Sequence, residues 1–163
     1  MAKKTAQPTP AVVALRRAGV SYTLHPYDHD ASVRAYGMEA ADALGVSPER
    51  IFKTLLGQSE DGLCVAVVPV SATLDLKALA AELGHKRIRM ADPADAERAT
   101  GYVVGGISPL GGRRRLSTVV DESALRHPTL YVSAGRRGLQ VELAPSDLIR
   151  LTDARTSRVA AAP

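Results

Sequence analysis

Residues 51–70 read IFKTLLGQSEDGLCVAVVPV, two apolar runs joined by the polar, turn-forming QSEDG. Two such runs so closely connected predict a β-hairpin. A hairpin of this apolarity is stable only when other elements cover it, so it commits the chain to a sheet with a packed face. Aromatic residues make up 4% of the chain, with no Trp and one Phe. The core around the hairpin therefore rests on Val, Leu, Ile and Ala.

Helix and strand signals alternate on either side. Thr9-Pro10 is a cap followed by proline at the first helical position, AVVALRRA has amphipathic spacing, and Gly19 stands where that helix stops. VSYTLHPY alternates, with Val20, Tyr22 and Leu24 on one face, and predicts a half-buried strand. MEAADALG predicts a short helix ending at Gly45, and Ser47-Pro48 repeats the cap-plus-proline signal. LDLKALAAELG is the clearest helix, with Leu76, Leu79, Ala80 and Leu83 on one side and Gly84 closing it. HKRIRM predicts a strand, and Asp92-Pro93 opens a helix that ends near Gly101. Beyond a glycine-rich segment with a short apolar strand at its start, LSTVVD, TLYVSAG and GLQVEL predict three strands. Pro145 opens a last helix reaching about Leu151. The order is not the regular alternation of a doubly wound fold. It predicts a mixed α/β domain built on a curved sheet. At 163 residues the chain is one domain over 9–153, with a flexible basic tail at 1–8 and a flexible, fraying end at 154–163.

Composition narrows the chemistry. The single cysteine, Cys64, excludes an internal disulfide framework and a cysteine-based zinc site, and fits a reducing cytoplasm. It sits in an alternating apolar strand and reads as a core residue. No apolar run nears the ~20 residues of a membrane span, and MAKKTAQPTP lacks the apolar stretch of a signal peptide. The net charge of +4 suits a polyanionic partner or simply good solubility.

Four stretches carry possible chemistry. Lys53 shares a strand face with Leu55, so it either snorkels outward or points into a pocket, where a cation holds phosphate or polarises an ester carbonyl. TGYVVGGISPLGGRRRL, residues 100–116, has neither the Gly-Lys-Ser/Thr of a P-loop nor a dinucleotide fingerprint. It reads as a turn whose small residues let backbone amides approach a ligand, or as a plain glycine turn. Arg113, Arg114 and Arg115 follow it, and Arg136 and Arg137 lie in a second glycine turn. Together they make either an RNA-facing surface or a solvated basic edge. His25, His29 and Asp30 in HPYDHD match no zinc spacing, and no metal site is expected.

The set YTLHPYDHD, IFKTLL, LDLKALA, MADPADAERATGYVVGGISPLG and YVSAGRRGLQVELAPSDL resembles the YbaK/EbsC family of Cys-tRNA(Pro) deacylases from about Pro10 to Asp153. The resemblance implies a curved, partly barrel-like mixed sheet ringed by short helices. It also implies an activity, the clearing of cysteine misattached to tRNA(Pro), because a pocket separates near-isosteres weakly. No cofactor and no protein nucleophile are implied. The substrate's own thiol attacks its ester, and the protein binds, orients and stabilises charge. Carried over by motif, Lys53 contacts the terminal adenosine or its phosphate and polarises the ester, and Gly105 and Gly106 offer amides to the developing oxyanion. Tyr27, Thr54, Ile107, Ser108 and Ser133 line the substrate pocket, while Arg113, Arg114, Arg136 and Arg137 meet tRNA phosphates. The chain has Arg where the family often has Lys at 113, 114 and 136, and Ala134 replaces a usual glycine. Gln140 stands where an acidic or small residue is common, so no acidic role is carried over there.

The implied partners are the acceptor end of Cys-tRNA(Pro) and prolyl-tRNA synthetase, with a cytoplasmic monomer and no membrane contact. Two alternatives stay open: deacylation of Ala-tRNA(Pro) or another mischarged tRNA, and a non-catalytic module that binds tRNA or a synthetase.

Overall fold

A computed structural model describes residues 7–162; most of the expected basic tail lies outside the described residues. Helix α1 (Pro10–Ala18) leads into β1 (Tyr22–Pro26), α2 (Tyr36–Leu44) and the hairpin β2 (Phe52–Ser59) and β3 (Gly62–Pro69). Then come β4 (Thr73–Leu74), α3 (Leu76–Leu83), β5 (Ile88–Met90) and α4 (Pro93–Thr100). A glycine-rich segment precedes β6 (Ser117–Asp121) and a 3-10 helix at Glu122–Arg126. The chain closes with β7 (Leu130–Arg136), β8 (Leu139–Leu143), α5 (Pro145–Thr152), β9 (Arg155–Ser157) and β10 (Ala160–Ala161).

The hairpin organises a five-stranded sheet of order β5-β2-β3-β6-β9. Strands β2, β3 and β5 pair antiparallel, whereas β6 joins β3, and β9 joins β6, in parallel. The sheet is mixed, as its irregular element order implies. Both faces of β3 are covered, which accounts for its unbroken apolar run. Val65 and Val67 enter a large core with Phe52, Leu56, Val120 and Val141. Cys64, Ala66 and Val68 enter a second core with Leu79, Ile88 and Val159. A second sheet, β1-β8-β7, is antiparallel and meets the first through a parallel bridge between Ile51 and Tyr131.

Side-chain caps fix two of the helices. The Thr9 Oγ1 accepts from the Val12 amide (3.2 Å) and donates to the Ala134 carbonyl, fastening α1 to β7. Asp75 caps α3 through the Ala78 amide (3.0 Å).

Three expectations are corrected. Ser47-Pro48 starts no helix. Ser47 closes a single turn, its carbonyl accepting from Arg50 (2.9 Å), because Ile51 must already enter the sheet bridge. The apolar YVV after Thr100 forms no strand, because Tyr102 buries its ring in the large core instead of pairing along a sheet. Residues 155–161, expected to fray, are paired in strands: β9 pairs with β6, β10 pairs with β4, and Val159 between them is fully buried. The buried Asp121 carboxylate holds this return, accepting from the amides of Val159 and Ala160, both at 2.9 Å.

Candidate active site

A cavity of about 420 Å³ opens where the start of β2, the first turn of α2, the 103–107 segment and the second sheet converge. Its wall is mostly apolar, with Phe52, Leu56, Met38 and Ile107 among the lining side chains. Of the residues expected at a site, Lys53, Thr54, Gly105, Ile107 and Ser133 line it. Lys53 is half-buried in the lining, and burial pushes its ammonium below the ordinary lysine pKa. Among the described residues no carboxylate or imidazole lines the cavity.

Polar atoms in this wall are left without partners. Thr54 Oγ1 and Gln140 Oε1 are both buried and make no hydrogen bond among the described residues. Each orphaned group costs roughly 1–3 kcal/mol. Ser133 and Gln140 face each other across β7 and β8, just before the bulge at Ser133–Arg136. A ligand that supplies partners to these groups recovers what folding leaves unpaired.

The glycine-rich segment is held by its own hydrogen bonds. The Tyr102 hydroxyl donates to the Leu110 carbonyl (2.6 Å), and burial drives its pKa up to about 12. The Val104 amide donates to Glu97 Oε2 (2.8 Å). The two glycines expected to act together are separated. The Gly106 amide is committed to the Val103 carbonyl (2.9 Å), and a β-carbon there would lie 2.7 Å from the Arg136 backbone. Gly106 thus lets two backbones touch, and it lies outside the cavity wall. Gly105 does line the cavity, at φ +88°, and no acceptor for its amide is found among the described residues. A β-carbon on Gly105 would meet the Tyr36 ring at 2.8 Å and Arg137 Nε at 2.9 Å.

Other expected residues stand behind or beside the site. Ser108 is buried, its Oγ accepting from the Leu110 amide (3.2 Å) to shape the loop. Tyr27 is not in the wall; burial raises its hydroxyl's pKa, and that hydroxyl lies against the Gln140 side chain. Arg113, Arg114 and Arg136 are exposed. Arg137 is exposed yet engaged, its Nε donating to the Val104 carbonyl (2.8 Å) and its guanidinium stacking on Tyr36 at 5.0 Å. His25 and His29 are apart, each beside its own carboxylate: Glu142 at 2.9 Å and Glu39 at 2.7 Å. Among the described residues one trio has metal-ligand geometry, Glu60, Asp61 and His85, at the far end of β2 from Lys53.

Sequence reasoning missed Tyr36, Met38 and Gln140. Tyr36 and Met38 left no signal, because the end of a short helix is not a motif. Gln140 left none either, since LQVEL alternates regularly and its polar positions 140 and 142 read as a solvent face; only its burial sets it apart.

Comparison with known proteins gives this geometry relatives. The model of a family described as an aminoacyl-tRNA editing domain matches residues 31–151. EbsC of Enterococcus faecalis, a proposed Cys-tRNA(Pro)/Cys-tRNA(Cys) deacylase, is 36% identical over 96% of each chain. The multifunctional Ser/Thr-tRNA deacylase ProXp-y of Escherichia coli is 24% identical over 93% of this chain and 91% of its own. A crystal structure described as a proposed trans-editing enzyme for prolyl-tRNA synthetase superposes with a TM-score of 0.85 at 25% identity, covering 96% of this chain and 99% of that one.

Proposed function

Because this chain belongs to the aminoacyl-tRNA editing domain family, we propose that it is a trans-acting deacylase that removes cysteine from tRNA(Pro). The observation that carries this reading is the cavity wall: a half-buried lysine and a free backbone amide, with no carboxylate or imidazole among the described lining residues. Such a wall stabilises charge but offers no acidic or histidine base and no activated nucleophile. It suits a substrate that brings its own nucleophile. The thiol sulfur attacks the ester carbonyl, the new S–C bond forms as the C–O bond to the ribose 3′ oxygen breaks, and the thiol proton ends on that oxygen. Lys53 and the Gly105 amide face the developing oxyanion, and Thr54 and Ser133 fix the adenosine end. The name of the Enterococcus relative joins Cys-tRNA(Pro) with Cys-tRNA(Cys), which fits a free protein that reads the acceptor end alone. Selection of tRNA(Pro) then falls to prolyl-tRNA synthetase in a shared complex.

The Ser/Thr deacylase relative favours a second reading, in which a hydroxyl replaces the thiol. Single-turnover deacylation of tRNA(Pro) charged with cysteine, serine, alanine or proline at low salt separates the two. Loss of cysteine alone is expected. Loss of serine with cysteine retained moves the assignment to the hydroxyl esters, and loss of alanine removes substrate assistance altogether. Tight tRNA binding with every ester intact leaves a binding module.

A further inference from the structure

Lys53, Gly105, Thr54 and Ser133, all residues of the lining, bring an ammonium, a backbone amide and two hydroxyls to the cavity region, so its polar complement is rich in donors. An aminoacyl ester adds one donor of its own beside the reacting carbonyl, the α-amino group. Gln140 carries the side-chain carbonyl oxygen best suited to receive it. Gln140 lines the cavity with a side chain 6% exposed, and its oxygen is buried and has no partner among the described residues. The Tyr27 hydroxyl lies against the same amide from behind. The terminal torsion of glutamine is soft, so a small turn presents the oxygen to an arriving donor and relieves its unpaired state.

We propose that Gln140 receives the substrate's α-amino group and holds it, uncharged, beside the substrate's own thiol, where it takes the thiol proton. This rests on the deacylase reading above and adds the base that reading lacks. The proton passes from sulfur to the amine nitrogen and on to the departing 3′ oxygen, leaving the amine neutral again. A neutral amide suits this role and a carboxylate does not, since a carboxylate would stabilise the ammonium and withdraw the lone pair. Lys53 from β2 and Arg34 from the loop before α2 share the cavity lining with Gln140, and the Tyr27 hydroxyl lies against its side chain. The carboxylates of this region, Glu142 two residues along β8 and Glu39 near Tyr27, are held by His25, the β1 register partner of Gln140, and by His29, and neither lines the cavity. The depression of the Lys53 pKa by burial alone points to an environment that disfavours a second cation.

Single-turnover cleavage of cysteinyl-tRNA(Pro) and N-acetylcysteinyl-tRNA(Pro) between pH 6 and 9 tests this, using wild type, Gln140→Met and Gln140→Glu. Acetylation removes the lone pair, so wild type is expected to slow by about 100-fold or more. Gln140→Met is expected to slow the cysteinyl ester by about 10-fold or more and the N-acetyl ester, which keeps an N–H but has no lone pair to take the proton, by less. Gln140→Glu is expected to move the rising limb of the pH profile upward, an effect that a purely structural role would not produce. Equal wild-type rates on the two esters overturn the proposal without any variant. So does an equal loss on both esters in Gln140→Met, or an unmoved limb in Gln140→Glu. A wild-type protein inert toward both esters removes the deacylase reading and this one with it.

Discussion

A lysine in an apolar wall is an unstable choice, and Lys53, which has no charged partner among the described residues, is such a residue. Desolvation is the sole cause of its lowered pKa. On the proposed function, the group is kept for what it does to a ligand. Lys53→Met is expected to lower the single-turnover rate by about 10²–10³-fold, the cost of removing one preorganised charge donor, while raising the melting temperature at neutral pH. The sign with pH follows from the direction of the shift. The unfolded chain binds the lysine proton more tightly, so wild-type stability rises with pH from the folded pKa up to the ordinary lysine value. The gap in melting temperature between Lys53→Met and wild type should narrow as buffers become alkaline. A variant no more stable than wild type would mean that Lys53 is solvated. The sequence offered Lys53 as a choice between snorkelling and pointing inward. Only the elements packed around it decide, and several of them, α4, the 103–107 segment and the β7–β8 pair, are distant in the chain.

The glycine-rich segment works as an element, although it contains no helix or strand. Its length and glycines were legible, as was the strand–turn–strand that brings Arg136 and Arg137 near. Its bonding was not, because Glu97, Arg137 and Tyr36 reach it from three other elements. This sorts the arginines, which the sequence presented as equals. Arg137 braces the segment through Val104 and Tyr36, whereas Arg113 and Arg114 are exposed. Arg137→Ala should lower the catalytic rate and leave the salt dependence of tRNA binding nearly unchanged. Arg114→Ala should leave the rate at saturating tRNA intact and flatten the slope of log affinity against log salt by about one phosphate contact. The reverse pattern would exchange their roles.

On the scale of the whole molecule, local patterns revealed nearly every strand and helix, from the hairpin to α5. Pairing was beyond them, and the C-terminus shows why. RTSRVAAAP has no convincing periodicity, yet it closes two sheets, because β6 and β4 offer free edges and Asp121 offers two lone pairs. Deleting residues 155–163 removes Val159 from the second core and leaves Asp121, 3% exposed, short of two hydrogen bonds. A destabilisation on the order of 3–5 kcal/mol is expected, measurable by urea unfolding. An unchanged midpoint would show that the terminal strands add nothing.

The parallel pairing of β3 with β6 also has a consequence in time. The β2–β3 hairpin closes over a two-residue turn and can form within microseconds, but its register with β6 joins Cys64 to Ser117 across the whole of α3, β5 and α4. Contacts of such long range form late in folding. The cavity draws its wall from residues on both sides of that gap, so it comes into being only in the last step. A chain emerging from the ribosome completes its hairpin early and its pocket after β8 has been made. Until then, a partly folded copy has no chamber in which to cleave an ester.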